Sequence, residues 1–129
     1  MPPALKIRID LDSPAPAYRQ IVDAVRVLLV EGALPPGSEL PSVRRLAMVL
    51  GVHFNTVGEA YRQLADEGWL DLRHGRGARV IEREVRGARP QALAEFRARL
   101  RSLVAEMRAA GVPVAKVAGE LRALMEVLR

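Results

Sequence analysis

The sequence predicts an α+β chain that is mostly α, with three short helices and a β-hairpin followed by two further helices. Three observations carry this. Apolar residues recur at helical spacing in five separate stretches; two short runs near residues 69–73 and 78–81 suit strands; and Gly32, Gly51, Gly68 and Gly111 close or separate the helical runs. At 129 residues the chain has room for one domain plus a small appendage, and with 50% apolar and 27% charged residues its composition is globular.

The elements follow in order. Leu5, Ile7, Ile9 and Leu11 alternate with Lys6, Arg8, Asp10 and Asp12, a period of two that predicts a short extended arm. Ser13-Pro14-Ala15-Pro16 then opens a helix, because proline suits a first turn and not an interior. Its apolar face is Tyr18, Ile21, Val22, Val25, Leu28 and Leu29, ending near Gly32. Ala33–Pro41, with Pro35, Pro36 and Gly37, reads as turn. Ser42 is a suitable N-cap for a helix with Val43, Leu46, Ala47 and Leu50 inward, closed by Gly51. A second helix from about Asn55 to Glu67 carries Val57, Ala60, Tyr61 and Leu64. The tight Gly51-Val52-His53 turn makes the pair a helix-turn-helix. Trp69–Arg73 and Ala78–Ile81 read as strands flanking His74-Gly75-Arg76-Gly77, which completes a winged helix-turn-helix over residues 1–82. Tyr61, Leu64 and Trp69 read as core.

Residues 83–89 form a charged connector. Beyond it Leu93, Phe96, Leu100, Leu103 and Met107 step by 3, 4, 3 and 4. Val114, Val117, Leu121, Leu124 and Leu128 repeat the steps after Gly111-Val112-Pro113. These narrow seams predict a helical hairpin over 90–129. So few residues make no stable core alone, so a second copy is the expected cover, with Leu93, Phe96, Leu100, Leu103, Met107, Val117, Leu121, Leu124 and Leu128 at the dimer interface.

Composition narrows the chemistry. Lys+Arg outnumber Asp+Glu by 20 to 15, and only Lys6 and Lys116 of the 20 are lysine, so a polyanionic partner is permitted. The absence of cysteine excludes disulfides, thiolate catalysis and cysteine-based zinc sites, and His53 and His74 alone do not make a metal cage. No paired carboxylates, nucleophile with base, or phosphate loop is evident. An enzyme is therefore not expected, nor a cofactor or metal. No apolar run is long enough for a bilayer, and Met1-Pro2-Pro3 is unlike a secretory signal, so a cytoplasmic protein without membrane contact is expected.

The stretch Leu34-Pro35-Pro36-Gly37-Ser38-Glu39-Leu40-Pro41-Ser42-Val43-Arg44-Arg45-Leu46-Ala47 resembles the opening of the DNA-binding domain of GntR-type bacterial transcription regulators. So do Asn55-Thr56-Val57, Ala60-Tyr61-Arg62-Gln63-Leu64, Glu67-Gly68-Trp69-Leu70 and His74-Gly75-Arg76-Gly77, all in order over about residues 8–82. Ile9-Asp10, Ser13-Pro14 and Tyr18 to Ile21 resemble the YtrA subfamily, in which about two helices serve dimerisation. The resemblance implies a sequence-specific regulator of transcription, a repressor, binding an inverted-repeat operator as a homodimer. Many relatives start the recognition helix with a hydroxyl residue and an arginine and carry another arginine one turn on; here His53, Phe54 and Gly58 stand there. Gly58 costs the helix up to about 1 kcal/mol relative to alanine.

Position then nominates the residues that would meet duplex DNA. The first residues of the second helix point at base edges, while the first helix crosses the backbone. Asn55 can bond adenine N6 and N7 together; Thr56 offers a hydroxyl and a methyl; Phe54 has only apolar contact to give, for example to a thymine methyl. The competing role for Asn55 and Thr56 is capping their own helix, and for His53 a turn or cap that touches phosphate. Arg44 and Arg45, in a first helical turn, oppose the helix dipole and so suit an external anion; the family position matching Arg44 contacts DNA. Ser42 stands beside them. Arg73, His74, Arg76 and Arg79 have no acid between them, and Gly75 permits close approach, so His74, Gly75 and Arg76 suit a wing at the minor groove. A second reading, a winged-helix interaction module without strong DNA binding, rests on the missing arginines.

Overall fold

The computed structural model describes residues 5–72, 77–83, 87 and 89–128. The chain divides into two compact units, Met1–Glu84 and Val85–Arg129. The first contains α1 (Ala17–Val30), β1 (Glu39–Leu40), α2 (Val43–Leu50), α3 (Phe54–Asp66), β2 (Leu70–Leu72) and β3 (Ala78–Val80).

Its core is assembled from the faces that the apolar spacing marks: Ile21, Val22 and Val25 of α1, Leu46 of α2, and Val57, Ala60, Tyr61 and Leu64 of α3 are all buried. Each large aliphatic side chain so placed contributes about 1.5–3 kcal/mol. Leu40, Leu70, Ala78 and Val80 bring the inner face of the sheet onto this cluster. The arm before α1 keeps its period of two, with Leu5 buried and Lys6, Arg8 and Asp10 exposed, but forms no strand, and Leu11 is exposed. It is held instead by Gln20, whose side-chain amide accepts from the Asp10 N–H at 2.6 Å and donates to the Asp10 carbonyl at 2.8 Å.

The turn-rich stretch before α2 ends in a strand that the sequence did not announce. β1 pairs antiparallel with β3 (Glu39 opposite Arg79, Leu40 opposite Ala78), so the sheet has three strands in the order β1-β3-β2. β2 meets the other edge of β3, with Leu70 opposite Val80 and Leu72 opposite Ala78. Hydrogen bonds from Gly37 N–H to Val80 O and from Val80 N–H to Ser38 O, both 2.8 Å, extend the β1 edge. The hairpin therefore has its inner strand clamped on both sides. At its base Gly77 has φ +83°, and a Cβ there would lie 2.9 Å from the Leu40 carbonyl oxygen, so glycine is required twice over.

Two polar contacts fix the helices further. The buried Tyr61 hydroxyl donates to the Pro41 carbonyl at 2.7 Å, tying α3 to the residue just before the α2 cap. Burial raises this phenol above its ordinary pKa. Arg26 of α1 meets Glu67, just past α3, through two N–H donors at 2.9 and 2.5 Å. That hydrogen-bonded guanidinium holds the Glu67 carboxyl below its ordinary pKa against the opposing effect of partial burial. Arg83, expected in the connector, packs on the first unit instead: its guanidinium carbon lies 4.5 Å from the centre of the half-buried Trp69 ring, and its Nε donates to the Glu67 carbonyl.

The second unit is a pair of helices in contact, α4 (Ala92–Ala109) and α5 (Val114–Val127). The Arg108 side chain donates to the Val112 carbonyl at 2.8 Å across the break between them, and Arg89 pairs with Glu95 at 2.7 Å. Val117 is buried and Met107 half-buried within the single chain, whereas Leu93, Phe96, Leu100, Leu103, Leu121, Leu124 and Leu128 are exposed.

Candidate nucleic-acid interface

The site is built from the start of α2, the first turns of α3 and the base of the hairpin. Ser42 caps α2, its Oγ accepting from the Arg45 N–H at 3.1 Å. Gly51 closes α2 in the left-handed region (φ 72°), and this sharp reversal lets α3 begin three residues later. α3 starts at Phe54, one residue earlier than its apolar spacing suggests. His53 caps it: its Nδ1 accepts from the Asn55 N–H at 3.1 Å, and its carbonyl accepts from the Thr56 N–H at 3.0 Å. An accepting Nδ1 leaves the ring proton on Nε2, on the side of the ring facing away from the cap.

His53 therefore fills the cap position for which Asn55 and Thr56 were the competing candidates. With the capping done by His53, the exposed Asn55 carboxamide has no hydrogen-bond partner among the described residues. Thr56 is half-buried. Phe54 is 48% exposed and stacks on His53, with ring centroids 4.4 Å apart and an interplanar angle of 28°. Arg44 and Arg45 are exposed at the start of α2, where no acidic residue offsets the helix dipole. The Arg44 guanidinium carbon lies 5.9 Å from the centre of the Phe54 ring.

Between α2, α3 and the hairpin runs a half-open groove of about 410 Å³, lined by Ser42, Arg44, Phe54, Gly58, Arg62 and Leu72 among others. Phe54, Gly58 and Arg62 are four apart and share one stripe of α3. Arg62 and Leu72 are not legible as lining in the sequence: the helical stripe is visible there, but the opposite wall comes from the hairpin. Neither Arg44, Arg45 nor Arg62 makes an ion pair among the described residues. Arg79 does, reaching Glu39 of β1 at 3.4 Å, so the hairpin is less uniformly basic than its own sequence implies. His74, Gly75 and Arg76 lie outside the described residues. No cluster of three metal-ligating side chains occurs among the described residues, and no helix there is long and apolar enough to cross a membrane.

Known proteins are similar to this chain in sequence and in fold. The family described as bacterial regulatory proteins, gntR family, matches residues 17–80. The HTH-type transcriptional repressor YtrA of Bacillus subtilis (strain 168) is 33% identical over 86% of this chain and 85% of its own length. The chain belongs to the GntR family. Among solved structures, a transcriptional antiterminator from Listeria monocytogenes EGD-e has a TM-score of 0.70 at 25% identity, over 98% of this chain and 96% of that one. YtrA from Sulfolobus acidocaldarius, a GntR-family transcription factor, has a TM-score of 0.55 at 34% identity, over 93% and 97%. As a GntR-family member the chain is a DNA-binding transcription regulator with a winged helix-turn-helix, and not an enzyme.

Proposed function

We propose that the chain is a sequence-specific repressor that binds an inverted-repeat operator as a homodimer. The observation that carries base reading is the unpartnered Asn55 carboxamide in the first turn of α3, freed because His53 caps the helix. In this reading Asn55 and Thr56 face base edges in the major groove. Arg44 and Arg45 bind phosphate, beside Ser42, while His74, Gly75 and Arg76 reach the minor groove or its phosphates. The repressor role follows the printed role of the Bacillus relative. Dimerisation is supported by the apolar seams of the second unit, whose Leu93, Phe96, Leu100 and Leu103 are 69%, 54%, 50% and 53% exposed in one chain. A closed two-fold dimer imposes two-fold symmetry on its site, with half-site centres about one helical turn apart.

The test is enrichment of bound duplexes from a random-sequence pool, followed by a salt series on an enriched and a random duplex. Arg44→Ala should weaken both and flatten the salt dependence by roughly one unit of slope per subunit. Asn55→Ala should cost about 1–3 kcal/mol on the enriched duplex and little on the random one. Light scattering on the full chain should give twice the chain mass. Equal losses on both duplexes for Asn55→Ala refute base reading, and a monomer at micromolar concentration refutes the dimer.

A further inference from the structure

Resting on the reading of α3 as the recognition helix, we propose that Phe54, with the gap left by Gly58, forms an apolar recess that selects a thymine through its C5-methyl group. Four observations converge on this. Phe54 is 48% exposed although its ring already stacks on His53 at 4.4 Å and lies under the Arg44 guanidinium, so part of it stays open to a further contact. One turn on, a Cβ at Gly58 would meet no atom of the surrounding described structure within 4 Å, so the stripe is hollow where most residues would fill it. The groove over this stripe has a volume of about 410 Å³, ample for a methyl group with the base edge that bears it. Among the described residues its lining includes two guanidinium groups, Arg44 and Arg62, and no acidic residue.

An apolar floor with cationic flanks selects among occupants. An aliphatic side chain of another protein would satisfy the floor and leave both arginines unmatched. Duplex DNA supplies an apolar group between rows of phosphate, and on the base edges of the unmodified major groove that group is the thymine methyl. The base edge offers Phe54 nothing else, since a phenyl ring neither donates nor accepts a strong hydrogen bond. His53 fixes the ring from behind, and the Arg44 guanidinium, 5.9 Å from the ring centre, is placed to bridge the ring and a neighbouring phosphate.

The experiment replaces each thymine of the enriched duplex singly with deoxyuridine, which removes the methyl and keeps every base-pairing group. Affinities are read by fluorescence anisotropy for the full-length chain and for Phe54→Ala, Phe54→Leu and Asn55→Ala. One thymine in each half-site should prove sensitive, its replacement weakening the wild-type chain by roughly three- to fivefold, the worth of one buried methyl. The loss should be the same at low and moderate salt, because no phosphate contact is involved. Phe54→Ala should bind the thymine and uracil duplexes equally; Phe54→Leu should keep part of the discrimination; Asn55→Ala should bind more weakly and still discriminate. Sensitivity that persists in Phe54→Ala assigns the methyl to another side chain and overturns the inference, as does a wild-type chain indifferent to every replacement. In both cases retained enrichment leaves the DNA-reading function standing. Failure to enrich any duplex overturns that function and the inference with it.

Discussion

Replacing Gly58 by alanine should make this protein more stable and worse at its task. Gly58 lies within α3, its φ is not in the left-handed region, and an added Cβ meets no surrounding atom of the described residues within 4 Å. Neither strain nor collision therefore opposes the change. What remains is the difference in helix propensity, about 0.8–1 kcal/mol in favour of alanine, part of it from a less disordered unfolded chain. For a unit of this size that corresponds to roughly 3–6 °C in Tm. The same methyl group would occupy the floor of the groove beside Phe54, where the proposed binding mode seats a base edge. Thermal unfolding followed by circular dichroism supplies the first quantity, and anisotropy on the enriched duplex at fixed salt the second. The expected pair is a higher Tm with affinity reduced by at least threefold. A lower Tm would show that the helix is not as open at this position as the geometry implies. A higher Tm with undiminished binding would show that nothing of the duplex enters the groove.

The Arg26–Glu67 contact sets a pH dependence. The Glu67 carboxyl has a folded pKa below its ordinary 4.5, so its contribution is complete above that value and is lost as pH falls through the lower folded value. With both side chains partly exposed, Glu67→Gln should cost about 1 kcal/mol at pH 7 and progressively less below pH 4.5; an equal difference from wild type at both ends of a urea-unfolding pH series would refute this. Gly77→Ala should destabilise the first unit by at least about 2 kcal/mol, since its φ of +83° and the Leu40 carbonyl 2.9 Å from the new Cβ act together; an unchanged urea midpoint would refute the close approach.

The helices of the first unit were legible because each announces itself locally. Apolar residues at steps of three and four mark the buried faces of α1, α2 and α3, and Ser42 and Gly51 bound α2 with side chains suited to those positions. β1 was not legible. It is two residues long, follows two prolines and a glycine, and exists only because β3, nearly forty residues later, presents an unpaired edge to it. His53 stood among several candidate caps, since histidine is not among the favoured N-cap residues, and only the placed ring shows which group takes the Asn55 N–H. In sequence alone Gly58 is a defect in a helix. Its surroundings, with Leu72 across the groove, turn the same missing side chain into space. Arg83 lies in a charge run whose cations look equivalent in sequence, and its place on the Trp69 ring follows from the antiparallel pairing of β3 with β2.

The clamped position of β3 has a mechanical consequence. Strand β1 grips β3 on one side, and after Leu40 only Pro41 and Ser42 intervene before α2, with Pro41 itself held by the Tyr61 hydroxyl of α3. A force on the hairpin therefore has no slack to take up before it reaches the cap of α2 and the side of α3. The paired strands β1, β2 and β3 and the helices α2 and α3 are thereby coupled, and in the proposed binding mode a duplex that fits one of them poorly is held less well by the others. Energies of contact should accordingly be shared rather than separate. The loss from Arg44→Ala measured beside an intact hairpin should differ from the loss measured beside a loosened one, and the difference between the two is the coupling free energy of the two sites.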